Sequence, residues 1–325
     1  MQRVSMARRS GSVWTGCGTV FMKEFADHLG SGRMRVLEWL VLLTGIGAVY
    51  TAIQDLKTTT SQDPFLFLRL FTDAHDPLPS FMAVLGFLIP LVAIGLGFDA
   101  INGEFNRRTM SRILAQPVYR DALLLGKFFA GLATLGVALV TLWLLIIGLG
   151  LFTLGVPPTG EEVIRGIGFL IVSLAYGGLW LAVAMLCSVI FRAAATSALV
   201  ALGLWLLMSV LWPLISQFIT SAIFPTTQLT LILGPSYEQL VLQQTLARLS
   251  PNTLYAESLL GIMHPSTRAL GPVFMEQLQG AVMGSPLPLR QSLLLVWPQV
   301  TSLIAGVIVL FVGAYVVFQR QEVRA

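Results

Sequence analysis

The chain has 325 residues, of which 55% are hydrophobic and only 11% charged, with a mean hydropathy of +0.80. Soluble domains carry roughly 25% charged residues, so this composition excludes one and defines an integral membrane protein. A net charge of +4, spread over short polar segments, excludes a nucleic-acid surface, and two cysteines, Cys17 and Cys187, exclude a disulfide framework.

Residues 1–19 carry Arg3, Arg8 and Arg9 followed by Ser, Gly and Thr, with no uninterrupted apolar run. That predicts a disordered basic tail and not a cleaved export signal. Over 20–35, Val20, Phe21, Phe25 and Leu29 fall near one face of a helix, with Lys23, Glu24, Asp27 and His28 largely on the other. The pattern predicts an amphipathic helix lying in the membrane interface and feeding into a span. His28 reads as a polar-face residue and not as a ligand.

Six apolar stretches follow, at about 36–54, 80–98, 123–154, 165–190, 195–223 and 292–318. Each is near or above the roughly 20 residues that cross about 30 Å of hydrocarbon. The expected fold class is therefore an all-α integral membrane protein with six transmembrane helices, forming a single transmembrane domain over 20–325. Pro90 in the second span and Pro213 in the fifth are the expected kink points. Glycines such as Gly47, Gly97 and Gly177 are expected to let helices approach closely in lipid.

Orientation follows from the distribution of Lys and Arg. With six spans both termini share one side, which receives fourteen of the twenty basic residues, including those of the tail, the 99–120 loop, Arg192 and Arg320. Lys57, Arg69, Arg165, Arg248, Arg268 and Arg290 fall on the other side. The asymmetry predicts cytoplasmic termini and a cytoplasmic 99–120 loop.

That loop carries one short amphipathic helix. Asn102 is its expected cap, Glu104 sits in the first turn where a carboxylate suits the helix dipole, and Pro117 requires an end near Ala115. Ile101, Phe105, Met110, Ile113 and Leu114 form an apolar stripe, while Arg107, Arg108 and Arg112 face elsewhere. Glu104 has Arg107 and Arg108 within helical pairing distance in sequence. Asp121 is the expected cap of the next span, with Lys127 within snorkelling reach of the interface.

Beyond the fifth span, residues 224–291 form an extracytoplasmic loop. Ser236 and Gln239 suggest a capping box, followed by Leu242, Leu246 and Leu249 at helical spacing. A second helix is expected to begin with Ser250 as cap and Pro251 in its first turn, and to end before Pro265. Both helices are too small for a core of their own and read as a lid over the spans, the outer re-entrant or amphipathic helices of the fold.

Gly103, Glu104, Thr109, Met110, Ile113, Leu114, Ala115, Pro117, Val118, Arg120, Leu124, Gly126 and Lys127 together resemble the signature loop of type-2 ABC transporter permeases. The interfacial helix, the six spans and the long outer loop match as well, and residues 250–272 are similar to the outer loop of many members. Arg108 departs from the pattern, since a glycine often precedes the threonine. The resemblance implies a coupling helix seated in a separate ABC ATPase subunit, with Glu104, Phe105, Arg107, Arg108 and Arg112 as the contact residues. It also implies a second permease copy, either a homodimer or a sibling, in the cell membrane.

This chain contains no G-x-x-x-x-G-K-[ST] motif, since Phe128 follows Gly126 and Lys127, so it is not expected to be an enzyme. No catalytic residue, cofactor or metal is assigned to it, and ATP and magnesium belong to the partner ATPase. The three histidines, His28, His75 and His264, lie far apart in sequence. The spans lack central charges, which argues against the alternative of an ion-coupled secondary transporter. An apolar path suits export of an amphiphile such as a lipid, drug or peptide. A second alternative is a Nos-type permease serving maturation of a copper enzyme, with Met263, His264, Met275 and Met283 as soft ligands. Packing under a lid accounts for the same methionines.

Overall fold

A computed structural model describes residues 13–32, scattered positions within 35–53, and residues 65–72, 80–109, 119–155, 157–225, 234–270 and 286–321. All regular structure among them is helical. Five helical stretches are long and apolar enough to cross a membrane: Phe81–Asn106, Arg120–Thr153, Gly160–Ile190, Ala194–Ile223 and Leu289–Arg320. The chain is an all-α integral membrane protein. The expected first span, 36–54, falls mostly outside the described residues, although the positions described between 35 and 53 are helical.

Helix α1, Val13–Gly30, begins earlier than expected. Residues 13–19, assigned by composition to a disordered tail, are helical, whereas 1–12 lie outside the described residues. Burial is the reason: Cys17 and Val20 are 8% and 9% exposed, and this contact outweighs the poor helix propensity of Gly16, Gly18 and Thr19. The orientation of α1 also differs from the simple amphipathic reading. Cys17, Val20, Glu24 and His28, spaced for one face, turn toward the bundle, while Met22 and Leu29 are exposed and Phe21 stacks on Phe25. An apolar stripe directed away from the protein suits a helix that lies in the interface.

Helix α2, Leu66–Thr72, is short and buried on Phe67, Leu68, Leu70 and Phe71. Helix α3, Phe81–Gly97, starts at Ser80, whose side chain accepts from the Ala83 amide. It carries Pro90 without interruption. After a turn, α4, Asn102–Asn106, continues the same rod, and α5, Arg120–Leu154, returns across the bundle. Helix α6, Gly160–Ile190, is the axis of the fold, packing on α3 and α5 and on three later helices. A Cβ at Gly177 would lie 2.2 Å from Leu135 Cδ2 and 3.0 Å from Ile89 Cγ2, so only glycine lets α3, α5 and α6 meet there. Gly47, by contrast, has open space around its Cα.

The fifth span is one continuous helical stretch, Ala194–Ile223, with a π-helical turn just before the expected kink point, Pro213. Helix α7, Ala194–Leu206, passes through Leu207–Leu211 into α8, Trp212–Ile223, with Pro213 in the first turn. Proline brings no amide hydrogen, and the wider turn accommodates the loss. Outer helices α9, Tyr237–Ala247, and α10, Pro251–Met263, follow, and α11, Leu289–Arg320, recrosses the bundle.

Helices α9 and α10 pack on the spans. Tyr255, Leu259, Ile262 and Met263 of α10 are buried, and α9 has no fully buried residue. Ser236 caps α9, but Leu249 lies beyond its end and is 63% exposed. Ser250 does not cap α10; its hydroxyl donates to Met208 O in the π turn at 2.7 Å, and Trp212 Nε1 donates to Leu246 O at 2.8 Å. These two bonds fasten the outer helices to the fifth span.

Arg165, the first residue of the expected fourth span and counted with the side opposite the termini, is fully buried within α6. It pairs with Glu161 at 2.8 Å and donates to Ile262 O at 2.6 Å, Leu287 O at 2.7 Å and Ser292 Oγ at 3.2 Å. Glu162 is also buried, completing a capping box with Thr159 and accepting the Phe67 amide of α2 at 2.8 Å. One turn of α6 thus ties together α2, α10 and the start of α11.

Candidate functional site

The signature loop lies at the opposite end of the bundle from Arg165, and its residues converge there. Lys127, about two turns into α5, is 5% exposed and does not snorkel to water. Its ammonium lies 2.9 Å from Glu24 Oε1 on α1 and 3.1 Å from Glu104 Oε1 on α4. Thr109 Oγ1 donates to the other oxygen of Glu104. Lys23 adds a second cation 3.2 Å from Glu24 Oε1. Three helices far apart in sequence therefore share one ionic node, in which each carboxylate faces a buried ammonium.

The neighbouring Gly126 makes this possible. A Cβ at that position would lie 2.8 Å from Val20 Cβ and 3.0 Å from Cys17 O, so α1 reaches α5 only across a glycine. Burial alone would raise the Glu24 carboxyl, but the Lys127 and Lys23 ammonium groups outweigh it and hold the group below the usual carboxylate range. Burial pushes His28 below its ordinary value, with Lys127 adding to the effect and the Glu24, Asp99 and Asp27 carboxylates opposing it.

The described part of the loop has a helix over Asn102–Asn106, closed by Arg107, and Arg108 adopts φ 56°. The expected end near Ala115 falls in 110–118, with Met110, Arg112 and Pro117, which lie outside the described residues. The left-handed residue is Arg108, where the sequence departs from the pattern it resembles. Left-handed backbone costs a non-glycine residue roughly 1–2 kcal/mol.

Asn102 is not the cap of this helix. Ser188 Oγ of α6 accepts from the amides of Ile101 at 2.9 Å and Asn102 at 3.2 Å, while Asn102 Nδ2 donates to Phe98 O and Phe191 O. Nothing in the apolar run around Ser188 marks it for this role. Asp121 likewise does not cap α5; it accepts from Gln319 Nε2, and Arg120 donates to Gln321 O at 3.1 Å. The start of α5 is thereby bound to the end of α11.

Of the predicted contact residues, Glu104 turns inward to Lys127 and does not pair with Arg107 or Arg108. Phe105 is half-buried against the core, and Arg107 and Arg108 are exposed. Sequence reasoning missed Glu24 and Ser188 as partners of the loop. Glu24 was legible only as one polar position on an amphipathic helix. Among the described residues no three His, Cys, Asp or Glu side chains are grouped to hold a metal ion. Met263 is 1% exposed and packs in the core, while Met275 and Met283 lie outside the described residues.

Among the described residues the chain is a polytopic helical bundle whose signature loop is anchored by an ionic node at one end. The chain belongs to the ABC-2 family transporter proteins, whose family model matches residues 19–323. It is 29% identical over 208 residues to the "Probable ABC transporter permease protein NosY" of Pseudomonas aeruginosa, covering 62% of this chain and 68% of that protein. It is 31% identical over 151 residues to the protein of the same description from Stutzerimonas stutzeri, covering 45% of this chain and about half, 52%, of that relative. The chain is a multi-pass ABC transporter permease. Membership implies an ABC ATPase as partner, and permease subunits of this kind are not themselves catalytic.

Proposed function

We propose that this chain is the permease subunit of an ATP-driven exporter in the cell membrane, with both termini and the 99–120 loop in the cytoplasm. The partner ATPase docks on the loop, on the exposed Arg107 and Arg108 and on Phe105 and Arg112, and ATP and magnesium bind on that partner. The observation that carries this reading is the node of Glu24, Lys127 and Glu104. A displacement of α4 by the ATPase is delivered at once to α1 and α5 through a charge-assisted contact and to α6 through Ser188. Glu104 thus acts as the inward lever of the loop, in place of the outward contact expected from sequence.

Two copies of the chain, or this chain with a sibling, would enclose the path. Only 11% of the most apolar window of the α7–α8 span, and the same share of α11, is buried within one chain. An amphiphilic cargo suits an apolar crevice of about 170 Å³ between α3 and α5, lined by Leu85, Leu88, Ile89, Leu135 and Leu139. The second reading, a Nos-type role in copper-enzyme maturation, is favoured by the two relatives named NosY.

The test is capture of the ATPase by the permease and substrate-stimulated hydrolysis in reconstituted vesicles. Phe105→Asp should abolish capture, and Glu104→Ala should retain capture while uncoupling hydrolysis from transport. Wild-type transport by both variants would reduce the loop to a connector. Loss of the copper enzyme's activity on deletion of the chain would favour the Nos-type reading.

A further inference from the structure

The α9–α10 hairpin carries charge into the apolar thickness that the spans themselves leave uncharged at their centres. Its contacts set the depth of its turn. Ser250 Oγ reaches Met208 O, at the midpoint of the Ala194–Ile223 span, and Trp212 Nε1 one turn further on reaches Leu246 O. Tyr255 stacks on Tyr176 with ring centroids 4.3 Å apart and bonds to Ser173 at 3.0 Å, and both partners lie near the middle of the 31-residue α6. The turn therefore reaches the middle of the bundle. Glu257 meets Gln299, which lies roughly 15 Å along α11 from Leu289, so this carboxylate and the Arg248 that pairs with it sit below the outer surface.

The Glu257 carboxylate is saturated. Arg248 Nε donates to its two oxygens at 3.2 and 2.9 Å, Gln244 Nε2 donates to one at 2.9 Å and Gln299 Nε2 to the other at 2.9 Å. Arg248 Nη2 donates to Leu270 O at 2.7 Å, but Nη1 makes no hydrogen bond among the described residues. The Glu257 side chain is 14% exposed and that of Arg248 is 35% exposed. A guanidinium edge left open at this depth does not face hydrocarbon, where a charge costs several kcal/mol. An open concavity of about 330 Å³ lies against the same helix, lined by Leu240, Gln243, Gln244 and Ala247, and Gln244 belongs both to it and to the cluster.

The open Nη1 edge offers donors and no acceptor, so it suits an oxyanion, and the apolar surroundings suit a chain attached to one. We propose that Arg248 holds the acidic head of an amphiphilic cargo, a carboxylate or phosphate, halfway along the path. The inference rests on the exporter reading and narrows its cargo to an acidic amphiphile. Without cargo, Glu257 balances the guanidinium; with cargo, the same carboxylate opposes the anion and limits how tightly it is held.

The test is native mass spectrometry of the full-length permease in a non-ionic detergent, titrated separately with laurate, dodecyl phosphate, dodecyltrimethylammonium and dodecanol. One or both anions should be retained about tenfold better than the cation or the alcohol, and the better of the two tells carboxylate from phosphate. Glu257→Gln should raise retention of that anion about threefold further, because the opposing charge is gone while an amide oxygen remains for Gln299. Arg248→Gln combined with Glu257→Gln removes both charges, keeps hydrogen-bonding groups in place and should bring the anion down to the level of dodecanol. A purely structural ion pair would change the thermal midpoint in these variants and leave the ligand preference alone. Capture of the ATPase by the same proteins reports on the exporter reading by itself, so its failure is distinguishable from failure of this site. Equal retention of anions and dodecanol by the wild type, an anion preference that survives in the double variant, or weaker anion retention in Glu257→Gln overturns the proposal. So does loss of a dimer in the double variant with no anion preference in the wild type, which would assign the Arg248 edge to a second copy of the chain.

Discussion

Replacement of Lys127 by Met removes the cation shared by two carboxylates while preserving most of the side-chain volume. The Lys127 side chain is 4% exposed, and those of Glu24 and Glu104 are 13% and 14% exposed. Removing one partner of a buried ion pair costs about 3–5 kcal/mol. Both carboxylates retain some water and Glu104 keeps its bond from Thr109, so the lower end, about 3 kcal/mol, applies. That lowers the thermal midpoint of the permease in detergent by on the order of 5–10 °C at pH 7.5.

The sign of the pH dependence is fixed by Glu24, whose folded carboxyl titrates below the usual range. In the wild type its contribution is complete above the ordinary glutamate value of about 4.3 and is lost as pH falls through the depressed one. In Lys127→Met, burial and the facing carboxylate push Glu104 upward without that cation, and Glu24 upward with only Lys23 left to oppose them, so the variant recovers part of its deficit by protonation. The gap to wild type should therefore be widest near neutral pH and shrink toward pH 5. A midpoint within about 1 °C of wild type at pH 7.5, or a gap that stays constant with pH, refutes the view that the node holds α1, α4 and α5 together.

Gly126→Ala should force α1 away from α5, since its Cβ would meet Val20 Cβ at 2.8 Å; a faster proteolytic cut in residues 13–32, with the spans still inserted, is the expected readout. Arg108→Gly should stabilise the isolated permease by up to about 1 kcal/mol by relieving the left-handed residue, seen as a higher thermal midpoint in detergent. Arg165→Leu should cost about 3–5 kcal/mol, because the Ile262 and Leu287 carbonyls lose their donor, and hydrogen exchange should rise in α10 before it rises in α3.

Composition and hydrophobic run length alone determined the membrane class, the placement of the spans from the second onward and an irregular turn near Pro213, because crossing hydrocarbon imposes a length and an apolarity that local sequence must meet. The outer helices were legible for a similar reason: Ser236, Pro251 and Pro265 are local signals of where a helix starts and stops. The loop could be recognised as a pattern, yet the direction in which Glu104 points could not, since its partner Lys127 is 23 positions away and their common partner Glu24 lies on a different helix. The helix cap from Ser188, the burial of Arg165 and the helical state of residues 13–19 belong to the same class. Each depends on a partner brought close only when the spans pack, so the tertiary structure decided them: local propensity is worth tenths of a kcal/mol per residue, whereas burying or pairing a polar group is worth whole ones.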